Sequence, residues 1–352
     1  MPCVKCTEKF VLSNSPSKLY FISEFDELIR KTNIFFKKLG LDANVNDGIL
    51  ILDVMDTHNF FKENIDALNE YFNVLEKNDI KVFLEDEKNR FTYKSMLTIK
   101  SLQRYINLFL DKEFFDIINN ESLTSYFQPI IKISDDSIYG YETLFRGVKA
   151  NVELMYPNEL FEKSKRNDLN FKLDRLCRET SLKTAATKKV HQKVFINFIP
   201  TSIYDPEFCL ASTVKWAKQL DFDPKNIVFE VVETQNVKDK EHLKTILNYY
   251  RSKGFLIALD DVGEGYSSLN MIIDIKPDII KVDRNIIENI DKDTMKQSIY
   301  RALRTICVEN SIKLLAEGVE TPYELEKIKE IGVDYAQGYY FAKPSAEIIR
   351  II

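Results

Sequence analysis

The stretch IVFEVVETQNVKDKEHLKTILNYYRSKGFLIALDD, residues 227–261, decides the architecture. It opens on the apolar run 227–232, crosses a helix-length gap at 238–252, and closes on a second apolar run, 256–259, that ends in Asp260 and Asp261. A buried strand, a helix and another buried strand make the unit from which parallel α/β sheets are built. Outward from it, similar runs recur at 126–131, 139–145, 194–198, 279–282, 313–316 and 335–341, with helix-length gaps at 170–188, 211–220, 292–309 and 321–330. Eight strands with helices between them, over residues 119–352, fit an α/β fold of the (β/α)8 barrel type. The segment KISDDSI, 132–138, is too short for a parallel crossover. The first strand is therefore expected to run antiparallel to the second, joined by a hairpin.

Upstream, residues 1–118 read as a separate small α/β domain of regulatory or structural role. Ser23 is placed to cap a helix that stops at Gly40, strands are expected at 48–54 and 80–84, and apolar residues recur with helical spacing at 60–75 and 93–118. The chain of 352 residues is 45% hydrophobic and 29% charged, with a net charge of −5, which fits a folded protein and argues against long nucleic acid as a partner. No apolar run approaches a membrane span and the first residues lack a signal-peptide pattern, so no membrane partner and a cytoplasmic location are expected. Five cysteines imply no disulfide framework. Cys3 and Cys6 form a CxxC with no second pair, either a tail carrying two thiols or half of a site completed elsewhere.

Chemistry gathers at the strand ends. Glu142 lies in the second strand, with Arg146 four residues on, and Asn197 ends the third. Glu230 and Glu233 follow in the fourth, Asp260 and Asp261 in the fifth, Lys281 and Asp283 in the sixth, Glu317 after the seventh and Gln337 in the eighth. In a barrel these ends converge on one mouth. So many carboxylates repel one another unless hard cations sit among them, and oxygen donors suit Mg²⁺ or Mn²⁺. Adjacent aspartates would let one carboxylate bridge two ions, as in in-line displacement at phosphorus. Five of the ten glycines, Gly140, Gly147, Gly263, Gly265 and Gly318, flank these groups. None of the three histidines, His58, His191 and His242, lies at a strand end, which argues against a histidine-based mechanism and leaves a metal-activated water positioned by Lys281.

The motifs YFQPI, ETLFR, NFIP, EVVE, DDVGEGYSSL, PDIIKVD, AEGVE and QGYYFAKP, in that order, resemble the EAL family of cyclic di-GMP phosphodiesterases over about 120–352. The resemblance implies a modified TIM barrel that hydrolyses cyclic di-GMP to linear pGpG with two Mg²⁺ or Mn²⁺ ions, and a homodimer formed through the barrel. One ion would be held by Glu142, Asn197, Glu230 and Asp260, the other by Asp260, Asp261 and Glu317, with Lys281 activating the attacking water. Gln128, Arg146, Asp283, Gln337 and Pro344 would contact substrate; Glu233, Glu320 and the loop residues Val262, Gly263, Glu264 and Gly265 would support the site. Val262 and Glu264 stand where the family usually has Phe and Thr. A weak or inactive cyclic di-GMP receptor is the alternative that these departures leave open. No GGDEF-type motif is present.

Overall fold

The computed structural model describes residues 12, 15–86, 90–93, 95–232, 240–263 and 268–351. The chain forms two compact units, one within residues 8–119 and one within 120–352. Among the described residues no helix is long and apolar enough to cross a membrane.

The first unit is an antiparallel sheet of five strands, β1 (Ser17–Ile22), β2 (Ala43–Asn46), β3 (Ile49–Val54), β4 (Lys81–Glu85) and β5 (Lys100–Ser101), in the order β2-β3-β1-β4-β5. Helices α1 (Asp26–Lys38) and α2 (Thr57–Tyr71) supply Phe36, Phe61 and Leu68 to a core shared with Leu19, Phe21, Leu50 and Leu52. The central strand, β1, was not anticipated from sequence. Its alternation of buried Leu19 and Phe21 with Lys18 and Tyr20 is a half-buried pattern too short to stand out. Ser23 does not cap α1: the helix begins after Phe25, and the Ser23 hydroxyl instead accepts the Phe25 N–H at 3.1 Å. The periodicity over 93–118 is divided as well, because β5 and the short helices Leu102–Leu110 and Lys112–Asn120 share that stretch.

The second unit is the expected barrel. Its strands are β6 (Leu123–Lys132), β7 (Ser137–Val148), β9 (Lys193–Phe198), β10 (Ile227–Val232), β11 (Leu256–Val262), β12 (Ile279–Val282), β13 (Lys313–Ala316) and β14 (Tyr335–Ala336); the two-residue β8 (Leu154–Met155) lies on the outer edge of β7. They pair in the order β6-β14-β13-β12-β11-β10-β9-β7, and β7 closes the ring on β6. The hairpin makes β6 antiparallel to both its neighbours, and the other neighbouring strands of the ring run parallel. The last strand is shorter than the run 335–341 suggested. After Ala336 the chain turns against the loop following β13, where the Val319 N–H reaches Gln337 O at 3.1 Å and the Tyr340 N–H reaches Val319 O at 3.0 Å.

Candidate active site

Residues two apart in a strand share a face. Inside the barrel, Ile130, Phe195, Val228, Ala258, Ile279, Leu315 and Tyr335 pack into an apolar floor. Two residues nearer the mouth stand Gln128, Asn197, Glu230, Asp260 and Lys281 on the same strands and Glu317 and Gln337 one residue past the ends of β13 and β14, with Glu142 directly opposite Gln128 in the β6–β7 ladder. The polar layer is thus set on an incompressible apolar base, and most of its side chains come from rigid strands rather than loops.

Lys281 is the hub. Its Nζ lies 2.5 Å from Glu230, 2.9 Å from Asp260 and 2.8 Å from Glu317. Burial works against its positive charge, but Asp260, Glu142, Glu230 and Glu317 outweigh burial and hold its pKa well above the ordinary lysine value. Burial drives Glu230 and Glu317 well above the ordinary carboxylate range, opposed by Lys281 and reinforced by the neighbouring carboxylates. Both directions report one imbalance: the cluster holds more negative charge than a single ammonium can offset.

Glu142 is fixed from two sides. The Gln337 amide donates to its Oε2 at 2.6 Å and to Gln128 Oε1 at 3.0 Å, while Asn197 donates to its Oε1 at 3.2 Å. Gln128 donates in turn to Ala342 O at 3.1 Å, tying the cluster to the C-terminal segment.

Asp260 and Asp261 would face opposite sides of a regular strand. They do not, because the β11–β12 register shifts between Leu259 and Val262, and Asp261 adopts a left-handed backbone with φ 55°. The extra residue lets carboxylate oxygens of Asp260, Asp261 and Glu317 lie within 4.8 Å of one another. This bulge has no sequence signature beyond the tolerance of aspartate for that conformation. Gly263 follows at φ 115°, where a Cβ would sit 2.2 Å from Ile286 Cδ1.

A cavity of about 300 Å³ opens over this layer, lined by Gln128, Glu142, Asp260, Asp261, Lys281, Glu317 and Gln337 together with Arg284, Gly318, Glu320, Gly338 and Tyr339. Asn197 and Glu230 stand in the layer without lining the cavity. Arg284 and Tyr339 were missed by the sequence reasoning, though Arg284 directly follows Asp283 at a strand end.

Other expected residues are placed elsewhere. Arg146 lines no part of this cavity; it donates to Leu144 O and Phe145 O of its own strand, between the rings of Tyr126 and Tyr156. Asp283 accepts the Asn285 N–H at 2.8 Å and caps the short helix Arg284–Ile287. Pro344 precedes Ser345, which bridges to Phe127, and Val262 is buried in the outer core. Cys3, Cys6, Glu233, Glu264 and Gly265 lie outside the described residues.

The donor set fits hard divalent cations. Neither oxygen of fully buried Glu230 accepts a well-formed hydrogen bond among the described residues, although Lys281 stands 2.5 Å from one of them. A buried carboxylate in that condition has oxygen lone pairs to spare for a cation, and Glu142, Asn197, Glu230, Asp260, Asp261 and Glu317 are oxygen donors throughout.

Comparison with known proteins agrees with this layout. The family model described as EAL domain matches residues 111–344. The Escherichia coli K12 protein named "probable cyclic di-GMP phosphodiesterase PdeG" is 28% identical over 244 residues, 67% of this chain and 47% of its own length. The chain therefore spans less than half of that relative. A standalone EAL protein from Vibrio cholerae O395, solved in its c-di-GMP-bound form, aligns with TM-score 0.60 and 39% identity over 65% of this chain and 95% of that one. The EAL domain of Pseudomonas aeruginosa FimX, at TM-score 0.62 and 22% identity over 68% of this chain and 98% of that one, shares the fold. With its closed barrel, its ring of strand-borne carboxylates and the family match over most of the barrel, the chain belongs to the EAL domain family.

Proposed function

We propose that this chain hydrolyses one phosphodiester of cyclic di-GMP to linear pGpG, with two Mg²⁺ or Mn²⁺ ions among Glu142, Asn197, Glu230, Asp260, Asp261 and Glu317. The observation that carries this reading is Lys281, 1% exposed, caged by three carboxylates at the floor of an open polar cavity. Groups so buried and so mutually perturbed mark functional sites more often than structural ones. The relatives named as cyclic di-GMP phosphodiesterases, and the Vibrio cholerae protein bound to that nucleotide, support the choice of substrate.

Bound divalent ions would supply Lewis-acid polarisation of the phosphate and a lowered pKa for the attacking water. The protein supplies position. Gln337 and Asn197 hold Glu142 in one orientation before substrate arrives, so its carboxylate need not be ordered during the reaction. Lys281 has three N–H groups and three carboxylate partners; yielding one of them frees a donor to hold the attacking water in line with phosphorus. We further propose that the first unit regulates the barrel, and that the barrel dimerises. Leu269 and Ile273, 59% and 69% exposed beside an apolar groove of about 620 Å³, support the second point.

The test is incubation of the full chain with cyclic di-GMP and Mg²⁺ or Mn²⁺, separating products by ion-exchange chromatography. Linear pGpG from the wild type and none from Glu142→Ala is the expected result. No product from the wild type refutes hydrolysis, and saturable binding without turnover identifies a receptor instead.

A further inference from the structure

We infer that Arg284 binds the second, uncleaved phosphodiester of the cyclic dinucleotide, and that Glu320 occupies its guanidinium until substrate arrives. The inference rests on the function proposed above. Cyclic di-GMP carries two anionic phosphodiesters, and the cluster around Lys281 accounts for the cleaved one alone. The other needs a cation within reach of a cavity whose walls include Glu142, Asp260, Asp261, Glu317 and Glu320.

Among the described residues lining that cavity, the cations are Lys281 and Arg284. Lys281 is enclosed by its carboxylates. Arg146 faces its own strand carbonyls and two tyrosine rings. Arg284 is different, with a side chain 46% exposed that ion-pairs with Glu320 and, at 3.6 Å, with Glu288. Exposed pairs of this kind are weak, so an incoming phosphate can displace a carboxylate at little cost. The planar guanidinium fork also matches two phosphate oxygens at once.

The surrounding backbone is built to hold Arg284 at the rim. Gly318, beside Glu317, has φ 65°, and a Cβ there would come within 2.6 Å of Arg284 Cγ. The glycine lets the arginine stem lie against the loop that carries Glu317. Buried Glu324 accepts the backbone N–H of Asn289 at 2.9 Å and those of Glu320 and Thr321 at 3.0 Å each. One carboxylate thereby fixes the segment after Arg284 and the segment bearing Glu320 relative to each other.

Steady-state kinetics of the full chain on cyclic di-GMP with Mn²⁺ provide the test. Arg284→Gln should raise KM about tenfold or more, the scale of a lost charge-assisted hydrogen bond, and Arg284→Lys should fall between it and the wild type. Glu320→Gln should lower KM by about two- to fivefold, because it releases the arginine. A mere brace between loops predicts that both substitutions impair the enzyme in the same direction. An unchanged KM in Arg284→Gln, a loss confined to kcat, or a raised KM in Glu320→Gln overturns the inference. If the wild type turns nothing over, the proposed hydrolysis fails separately, and calorimetric Kd values for cyclic di-GMP decide on Arg284: about tenfold weaker binding by Arg284→Gln supports it, and equal binding, or none by the wild type, refutes it.

Discussion

Replacing Lys281 by methionine keeps most of the side-chain volume and deletes the charge. Removing one partner of a buried ion pair costs about 3–5 kcal/mol, because the other partner is left uncompensated. Here three carboxylates are left, at 2.5, 2.9 and 2.8 Å from the missing ammonium, and Glu230 has no access to water. The upper part of that range applies, about 4–5 kcal/mol. For a domain the size of this barrel, 1 kcal/mol shifts the melting temperature by about 2–4 °C, so Lys281→Met should melt about 8–20 °C below wild type in EDTA. Divalent ions should narrow the gap, since they provide the positive charge that the variant lacks. Scanning calorimetry of both proteins in EDTA and in Mn²⁺ measures this, with Lys292→Met as a control at a side chain 74% exposed. Equal melting in EDTA would show that the carboxylates do not depend on the ammonium. A gap that Mn²⁺ leaves unchanged would show that the cluster is not a cation site.

Two further predictions concern other residues of the barrel unit. The Tyr250 hydroxyl is buried without a hydrogen-bond partner among the described residues, while its ring stacks on Phe229 at 3.8 Å. Tyr250→Phe keeps the stack and removes the unmet polar group, so thermal unfolding should shift up by about 2–4 °C, for about 1 kcal/mol; a fall would refute that account. Gly318→Ala must adopt φ 65° and displace Arg284, so it should lose at least about 1–2 kcal/mol in urea titration and raise KM. Wild-type stability would show that the loop relaxes freely.

The barrel was legible because each strand is an apolar run closed by a polar residue, and that rhythm survives without any tertiary information. The hairpin between β6 and β7 was legible too, since the seven residues 132–138 admit no crossover helix, and the link itself is the four residues 133–136. What sequence could not supply was side-chain direction. Arg146 shares a strand face with Glu142 and was assigned to substrate, yet its guanidinium folds back onto Leu144 O and Phe145 O between two aromatic rings. Asp283 likewise serves the helix that begins one residue later. Arg284 went unnoticed because its position depends on the left-handed turn at Gly318, some thirty residues away in sequence. The bulge at Asp261 was invisible for a similar reason: adjacent aspartates predict opposite faces until the register shifts.

The reversed first strand has a mechanical consequence. Leu123 pairs with Gly147 and Thr124 with Arg146, toward the C-terminal end of β7, so the polypeptide enters the barrel at the rim where the carboxylates gather. An all-parallel barrel receives its chain at the opposite end. From Leu123 to Gln128 is a single extended segment of about 17 Å, with no joint along it. A pull on the entering chain therefore loads the β6–β7 ladder first, at the carboxylate rim and on the same strand as Gln128, whose side-chain oxygen accepts the Gln337 amide.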